Sequence, residues 1–243
     1  MKAVMLAAGV GRRLELDTPK CLLEFDGKTL LQRHLEILRD CGIDNLTIGV
    51  GHQAADIAQA LAELDGGHAV RLIENPDYRQ GSIVTLWRLR ECFAGDNVLL
   101  MDADVLYDHR MIERLMSSPH PNCFLLDRDM EPGDEPVKLC VRDGRLVEFR
   151  KQVDVVCDYL GESVGFFRLS NPVTQKLLAV TARYVEAGAL NTPFEEALRD
   201  VLLAEPDQFG FEDITGLPWL EIDFPEDIER ARSEIVPRLV AHR

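Results

Sequence analysis

Over the first half of the chain, short apolar runs alternate with segments whose apolar positions recur every three or four residues. This alternation is typical of βαβ units, which build a parallel sheet. It predicts strands near residues 3–6, 45–50, 69–73, 97–101 and 122–126, and helices near 30–41, 54–64, 83–92 and 109–116. We therefore expect a Rossmann-like α/β fold with a mostly parallel sheet flanked by helices.

The pattern changes in the middle of the chain. Strand-like segments at 137–141 and 145–149 flank Asp143 and Gly144, a pair that is typical of two-residue hairpin turns. Antiparallel strands should therefore join the sheet and make it mixed. We expect them to form a small insertion at about 128–165.

The last third of the chain predicts helices near 172–186 and 193–203. The second helix begins with a proline behind Thr192, whose side chain is a favoured helix cap. A strand near 219–223 and an amphipathic helix complete the pattern. Because no linker-like stretch or repeat interrupts the chain, we expect a single domain over residues 1–243.

Composition narrows the classes of function. Hydrophobic residues make up 46% of the chain and charged residues 28%, as in soluble globular domains. With 27 basic against 42 acidic side chains the net charge is −15, which disfavours nucleic acid as a partner. No apolar run approaches the roughly 18 to 20 residues of a membrane span, so a membrane is not expected as a partner either. Any site for phosphate groups therefore has to be local.

The six cysteines are scattered, with no C-x-x-C pair and no histidine at zinc-finger spacing. A chain of this length does not need disulfides for stability, so we expect reduced thiols in a cytoplasmic protein. The first apolar run meets Arg12 and Arg13 too soon for a signal peptide, and a buried strand is the better interpretation.

The loop after the first predicted strand carries the clearest candidate chemistry. It reads L-A-A-G-V-G-R-R-L and continues to T-P-K at residues 18–20. Such a loop lies at the carboxyl ends of the strands, where ligands bind, and its glycines let backbone N–H groups approach phosphates. A dinucleotide-binding fingerprint would need a third glycine at Leu14. The G-K-T at residues 27–29 resembles the end of a P-loop, but a P-loop would need a further glycine at Leu22. An ordinary strand-to-helix connection with solvated arginines is the alternative.

Two acidic segments are candidates for metal ligands. The sequence M-D-A-D places Asp102 and Asp104 at the end of a hydrophobic strand, where Mg²⁺ can bind through one or two carboxylates and substrate phosphates. Of the two, Asp104 is the candidate metal ligand that we choose. Glu221 and Asp223 share one face of a later strand, and either reaches the metal if that strand borders the fifth parallel strand. Helix-capping or solvated acids are the alternative in both segments.

A third segment, N-P-D-Y-R-Q-G-S at residues 75–82, lies between a predicted strand and a helix. Its Gly-Ser turn lets backbone groups approach a pyrimidine edge, and Gln80 or Ser82 could add hydrogen bonds that distinguish C from U. A plain helix start at Gly81 explains the same residues.

Together these motifs resemble those of nucleotidyltransferases that join a nucleoside triphosphate to a phosphorylated metabolite. The segments N-P-D-Y-R-Q-G-S, M-D-A-D-V-L and P-W-L-E-I-D-F-P-E-D narrow the resemblance to cytidylyltransferases acting on phosphocholine, 2-aminoethylphosphonate and similar compounds. The resemblance spans nearly the whole chain. It implies an enzyme that uses CTP and Mg²⁺ and releases pyrophosphate.

The resemblance also implies roles for individual residues. Arg13 would hold the leaving pyrophosphate, and Lys20 would stabilise charge at the α-phosphate. Lys151 would face the acceptor phosphate, although an exposed lysine at the end of a hairpin is the alternative there. Asp104 and Asp223 would bind the metal. The residues that would contact the nucleotide are Ala8, Gly9, Gly11, Gln80, Gly81 and Ser82.

Charge predicts the kind of acceptor. A cationic head group would be attracted by carboxylates and aromatic faces. The candidates for these contacts are Glu135, Tyr159 and Glu162, with Asp129, Glu131 and Asp134 in the same acidic stretch. This favours an aminophosphonate or choline-like acceptor over a neutral polyol. A sugar-1-phosphate or inositol-phosphate nucleotidyltransferase and a non-catalytic nucleotide-sensing module are the alternatives, and the oligomeric state is open, a homodimer included.

Overall fold

The computed structural model describes residues 1–14, 17–64, 69–130, 133 and 135–240. Its strands are β1 (Lys2–Ala7), β2 (Glu24–Phe25), β3 (Lys28–Thr29), β4 (Asn45–Val50), β5 (Ala69–Glu74), β6 (Val98–Asp102), β7 (Val105–Tyr107), β8 (Cys123–Asp127), β9 (Lys138–Arg142), β10 (Arg145–Arg150), β11 (Tyr159–Leu169), β12 (Gly210–Asp213) and β13 (Trp219–Glu221). Its helices are α1 (Leu30–Asp40), α2 (Ala54–Glu63), α3 (Ser82–Arg88), α4 (Arg110–Ser117), α5 (Asn171–Glu186), α6 (Phe194–Ala204) and α7 (Pro225–Arg230). Within these described ranges, no helix is both long enough and apolar enough to cross a bilayer.

The central sheet runs in the order β10-β9-β11-β6-β1-β4-β5, and β8 pairs with both β11 and β12. Strands β6, β1, β4 and β5 are parallel to one another. Strand β11 is antiparallel to β6 and joins the hairpin of β9 and β10 to the sheet. The prediction of a Rossmann-like, mostly parallel mixed sheet flanked by helices is therefore confirmed.

Both faces of the central sheet are buried, as the continuous apolar runs of its strands predict. Leu99 and Met101 belong to the hydrophobic cluster that includes residues of α1, α2 and α4. Leu100 belongs to the cluster on the opposite face, which includes residues of α3, α5 and α6. Because side chains alternate along a strand, Asp102 ends β6 on the same face as Leu100.

Strand β11 is the one long strand of the sheet that the hydrophobic pattern did not predict. It contains Gly161 and Gly165, and glycine weakens the strand signal because it is depleted in strand interiors. The structure accounts for both glycines. An added Cβ would lie 2.5 Å from Leu126 Cγ at Gly161 and 2.3 Å from Asp102 Oδ2 at Gly165, where φ is also +83°. The glycines therefore allow β11 to lie close to β8 at Gly161 and to β6 at Gly165.

The predicted strand near the C terminus does not border the fifth predicted parallel strand. It forms β13, which pairs antiparallel with the short strand β7, with Glu221 opposite Val105. One residue further, the Ile222 N–H donates to the Asp104 carbonyl at 2.9 Å. This register brings Asp223 beside Asp104, although more than a hundred residues separate them in the chain.

The expectation of reduced thiols is wrong for Cys140 and Cys157, which form a disulfide with Cα atoms 5.5 Å apart. Cys140 lies in β9, and Cys157 lies in the loop that leads into β11. Because β9 and β11 are antiparallel neighbours with Leu160 opposite Cys140, the loop returns alongside Cys140. Their spacing of 17 residues carries no recognisable motif, so only the strand register reveals the pair.

Candidate active site

Lys20 joins the two carboxylates that were predicted to bind a metal. Lys20 is the first residue of a short 3-10 turn that follows Pro19. Its Nζ donates to Asp104 Oδ2 at 2.8 Å and to Asp223 Oδ1 at 2.5 Å. Burial disfavours the ammonium charge, but the two carboxylates outweigh this effect and raise the pKa of Lys20 above its ordinary value. Lys20 is therefore a fixed cation at the carboxyl edge of the sheet.

Three carboxylates at this edge fit a divalent cation. One oxygen each from Asp104, Glu221 and Asp223 lies within 4.8 Å of the other two. Oxygen donors of this kind suit Mg²⁺, which binds through a few carboxylates and completes its shell with water and substrate phosphates. The sequence left open whether Glu221 or Asp223 reaches the metal site, and the structure brings both there. These three residues could hold Mg²⁺.

Arg13 and Lys151 reach the same edge through a shared carboxylate. Arg13 Nη1 lies 3.1 Å from Asp223 Oδ2 and 3.1 Å from Glu135 Oε2, and Lys151 Nζ lies 3.1 Å from the same Glu135 oxygen. The Arg13 guanidinium also lies over the Phe224 ring, 5.1 Å from its centroid. Because these cations are about half exposed, their ion pairs contribute little to stability and can exchange for other anions.

The glycine-bearing loop forms one wall of a cavity beside these charges. The cavity has a volume of about 270 Å³, and its lining includes Gly9, Gly11, Arg13, Lys20 and Asp104. Gly11 has a φ of +62°, which other residues rarely adopt, and an added Cβ would lie 3.5 Å from Lys20 Cγ. The loop thus offers backbone N–H groups and two cations to an anionic ligand.

The predicted base-binding turn lies at the start of α3. The Ser82 hydroxyl accepts the Phe194 N–H at 2.8 Å, so Ser82 caps α6 in place of Thr192. An added Cβ on Gly81 would lie only 2.3 Å from the Thr192 carbonyl oxygen, so glycine is required at this position. The Ser82 hydroxyl still has its proton to donate, and the Gln80 side chain is exposed.

The glycine-bearing loop and the base-binding turn are held together above the end of β4. The His52 N–H donates to the Ala8 carbonyl at 3.3 Å. An added Cβ on Gly51 would lie 2.9 Å from that same oxygen and 2.4 Å from Tyr78 Cβ. Gly51 was not singled out in the sequence, yet it permits the close approach of these two segments.

Two of the predicted acceptor residues, Glu135 and Glu162, line a second cavity of about 480 Å³. Trp219, Glu221 and Asp223 line the same cavity. The Trp219 indole N–H donates to Asp127 Oδ2 at 2.7 Å. Sequence reasoning missed Asp127 and Trp219 as cavity residues, although Trp219 lies within one of the motifs that carry the resemblance.

Tyr159 does not line this second cavity. It packs against the hydrophobic core, and the Arg128 guanidinium lies over its ring, 4.7 Å from the centroid. Asp129 does line the cavity. Glu131 and Asp134 lie outside the described residues.

Asp102, the last residue of β6, is not one of the three carboxylates whose oxygens lie within 4.8 Å of one another. Its carboxylate packs against Gly165, and burial raises its pKa well above the ordinary value, with the negative charge of Glu195 acting in the same direction. Asp104 alone of the M-D-A-D pair contacts Lys20.

Comparison with known proteins gives a family match over most of the chain. A family model described as a MobA-like NTP transferase domain matches residues 3–152. The "Bifunctional IPC transferase and DIPP synthase" of Rubrobacter xylanophilus is 29% identical over 239 residues, which cover 96% of this chain and 51% of that protein. The "CMP-5'-(3-aminopropyl)phosphonate synthase" of Streptomyces rubellomurinus is 26% identical over 250 residues, covering 98% of this chain and 39% of that protein. The chain thus spans about half or less of the length of these relatives.

Among solved structures, the inositol-1-phosphate CTP transferase from T. maritima matches with a TM-score of 0.76. The two sequences are 19% identical, and the match covers 99% of this chain and 98% of the other. This likeness shows a shared fold over the whole length of both chains.

Proposed function

We propose, from the premise that this chain belongs to the family of MobA-like NTP transferase domains, that it is a Mg²⁺-dependent cytidylyltransferase. In the proposed reaction the CMP part of CTP is transferred to a small metabolite that carries a phosphate or phosphonate group, and pyrophosphate is released. The proposed acceptor is 2-aminoethylphosphonate or phosphocholine.

The contact of Lys20 with both Asp104 and Asp223 carries this proposal. These residues come from three distant segments of the chain, and they meet beside a loop whose glycines leave room for a triphosphate. A fixed cation next to three carboxylates fits the transfer of a nucleotidyl group, because negative charge at the α-phosphorus and on a metal-bound triphosphate must be balanced together. A protein that only senses nucleotides has little use for all of these groups.

The proposed step is an in-line displacement at the α-phosphorus of CTP. An oxygen of the acceptor's phosphate or phosphonate forms the new bond to phosphorus, while the bond to the oxygen that bridges the α- and β-phosphates breaks. Pyrophosphate leaves with that electron pair. Because the attacking oxygen is already anionic at neutral pH, the reaction needs no general base, and catalysis consists of positioning and charge neutralisation.

Each cation of the site has a proposed task in this step. Lys20 stabilises charge at the α-phosphate, Arg13 holds the departing pyrophosphate, and Lys151 holds the acceptor's anionic group. When bound to Asp104, Glu221 and Asp223, Mg²⁺ would neutralise charge on the triphosphate. Since Arg13 and Lys151 share the Glu135 carboxylate, substrate phosphates can take over its place at both cations.

The nucleotide is proposed to be CTP for two reasons. The base-binding turn offers the Ser82 hydroxyl proton to the O2 or N3 acceptor of cytosine. In addition, a relative of this chain is named for a CMP product and a structural neighbour for CTP.

The acceptor is proposed to carry a positive charge as well as its phosphoryl group. Carboxylates line the cavity that includes Lys151 and also the cavity that includes its ion-pair partner Glu135, an environment that suits an ammonium group better than a neutral polyol. The aminopropylphosphonate in the name of the Streptomyces relative fits the same description.

The test is pyrophosphate release with Mg²⁺, in which CTP, UTP, ATP and GTP are crossed with phosphocholine, 2-aminoethylphosphonate, phosphoethanolamine, inositol 1-phosphate and glucose 1-phosphate. Release that requires CTP and one of the three cationic acceptors would support the proposal. Release only with inositol 1-phosphate or glucose 1-phosphate would replace it with the alternative nucleotidyltransferase. CTP binding without release from any pair would favour the sensing module.

A further inference from the structure

Lys151 lines a third cavity, to which its partner Glu135 does not contribute. The cavity has a volume of about 450 Å³ and lies between the end of β10 and the start of α6. The described residues that line it include Lys151, Pro193, Glu195 and Glu196. No motif in the sequence pointed to α6 as part of a site.

Glu195 brings a buried carboxylate oxygen, Oε2, to this cavity. This atom has no hydrogen-bond partner among the described residues. The neighbouring Glu196 differs, because Arg150 donates to both of its oxygens at 3.1 Å. A buried carboxylate oxygen without a donor is costly, so Glu195 is poised to accept an N–H or O–H group from a ligand.

The electrostatic surroundings of Glu195 favour the binding of a cation. Burial raises its pKa to about 7, and the negative charges of Glu196 and Asp104 act in the same direction. The Glu195 backbone N–H and Lys151 lower this pKa, but the Lys151 ammonium group is already in contact with Glu135. A positively charged ligand group bound at Glu195 Oε2 would therefore stabilise its negative charge, which no cation among the described residues contacts there.

The start of α6 is held firmly against the base-binding turn. The Gly81 N–H donates to the Leu190 carbonyl at 2.8 Å, and the Ile83 N–H donates to the Thr192 carbonyl at 3.2 Å. Glu195 follows Phe194, whose N–H donates to Ser82 in the base-binding turn. Glu195 therefore lies on a helix start that is hydrogen-bonded to the segment with the proposed nucleotide contacts.

We propose that Glu195 binds the primary ammonium group of the acceptor while Lys151 holds the acceptor's phosphoryl group. This inference rests on the proposed function and narrows its substrate class to short compounds that carry a free amine and a phosphonate or phosphate. A primary ammonium offers three N–H donors to the carboxylate, whereas a trimethylammonium group offers none.

The cavity lining supports the primary amine over a quaternary one. Quaternary ammonium groups are recognised by open aromatic faces. The aromatic residue among the described lining residues is Phe149, whose relative exposure is only 1%. The cavity therefore offers a hydrogen-bond acceptor and no aromatic cage.

The test compares Glu195→Gln with the matched control Glu196→Gln, which changes the adjacent carboxylate. Binding of 2-aminoethylphosphonate, ethylphosphonate and phosphocholine is measured by calorimetry with the unreactive α,β-methylene analogue of CTP and Mg²⁺ present. We expect the wild type and Glu196→Gln to bind 2-aminoethylphosphonate at least about tenfold more tightly than ethylphosphonate. Glu195→Gln should lose this preference because its affinity for 2-aminoethylphosphonate falls.

Three results would overturn the inference: a preference for the amine that survives in Glu195→Gln, no binding of 2-aminoethylphosphonate to the wild type, or phosphocholine binding that equals it. Pyrophosphate release with CTP is measured on the same proteins. If binding depends on Glu195 but no acceptor supports release, the proposed function fails and the ammonium site stands. If pyrophosphate release occurs but the preference for the amine does not depend on Glu195, the proposed function stands and the ammonium site fails.

Discussion

Lys20 Nζ lies 2.5 Å from Asp223 Oδ1, although 203 positions separate the two residues in the chain. The same nitrogen lies 2.8 Å from Asp104 Oδ2. The loop after β1 supplies the cation, the segment after β6 supplies one carboxylate, and the segment after β13 supplies the other. The pairing of β13 with β7 is what makes this arrangement possible.

Replacing Lys20 tests its proposed role directly. We expect Lys20→Ala to lower kcat for pyrophosphate release by about a hundredfold or more, because a pre-organised cation at the centre of developing charge is lost. The matched control is Lys176→Ala, which removes an exposed lysine that is paired with Glu205. Near-normal turnover in Lys20→Ala would remove this residue from the catalytic site.

The carboxylate set predicts a metal dependence. Asp104→Asn should abolish the Mg²⁺-dependent activity and leave the circular dichroism spectrum unchanged, because the amide keeps the shape of the side chain but not its charge. Asp44→Asn, a change at an exposed residue, serves as the control. The measurement is activity across a Mg²⁺ titration, and a normal Mg²⁺ response in Asp104→Asn would contradict the assignment.

The Cys140–Cys157 disulfide predicts a redox-dependent stability. Its cysteines are 17 positions apart, and closing a loop of that size stabilises a fold by about 3 kcal/mol in the chain-entropy model. Adding dithiothreitol should therefore lower the urea midpoint of the wild type. The Cys140→Ser/Cys157→Ser variant should match the reduced protein and show no response to the reductant. A response in the double variant would place the effect at another thiol.

The ion pair between Glu148 and Arg199 fastens β10 to α6, with Arg199 Nη2 2.7 Å from Glu148 Oε2. Both groups are largely buried, so Arg199→Met should leave an unpaired carboxylate and destabilise the protein by about 3 kcal/mol or more at pH 7. The control Arg145→Met breaks an exposed pair with Asp207 and should cost about 1 kcal/mol or less. Urea unfolding measures both.

The ion pair between Glu148 and Arg199 also predicts that the stability of the protein depends on pH. Burial alone would raise the pKa of Glu148, but hydrogen bonds from Arg199 outweigh it and lower that pKa below the ordinary value of 4.5. A lowered pKa in the folded state adds stability above pH 4.5, and this stability is lost as the pH falls through the folded-state value. The stability difference between the wild type and Arg199→Met should therefore shrink below pH 4.5. A constant difference down to pH 3 would contradict this explanation.

The sequence by itself determined the α/β fold, the order of most elements and the family resemblance, which the match to MobA-like NTP transferase domains confirms. These features are local. The spacing of apolar residues along a segment indicates whether a helix or a strand would place them on one buried face. The candidate phosphate-binding residues Gly9, Gly11, Arg13 and Lys20 all lie within one loop. The motifs also pointed to Asp104 and Asp223 as metal ligands, a role that stays a prediction.

Only the tertiary structure decided which distant residues meet. Glu195 and the Cys140–Cys157 pair carry no motif, because their neighbours are brought to them by strand register and helix packing rather than by spacing along the chain. The same reason explains why Tyr159, although close in sequence to Glu162, packs into the core while Glu162 lines the second cavity. A local pattern specifies which face of an element is buried, but contacts between elements depend on the packing of the whole chain.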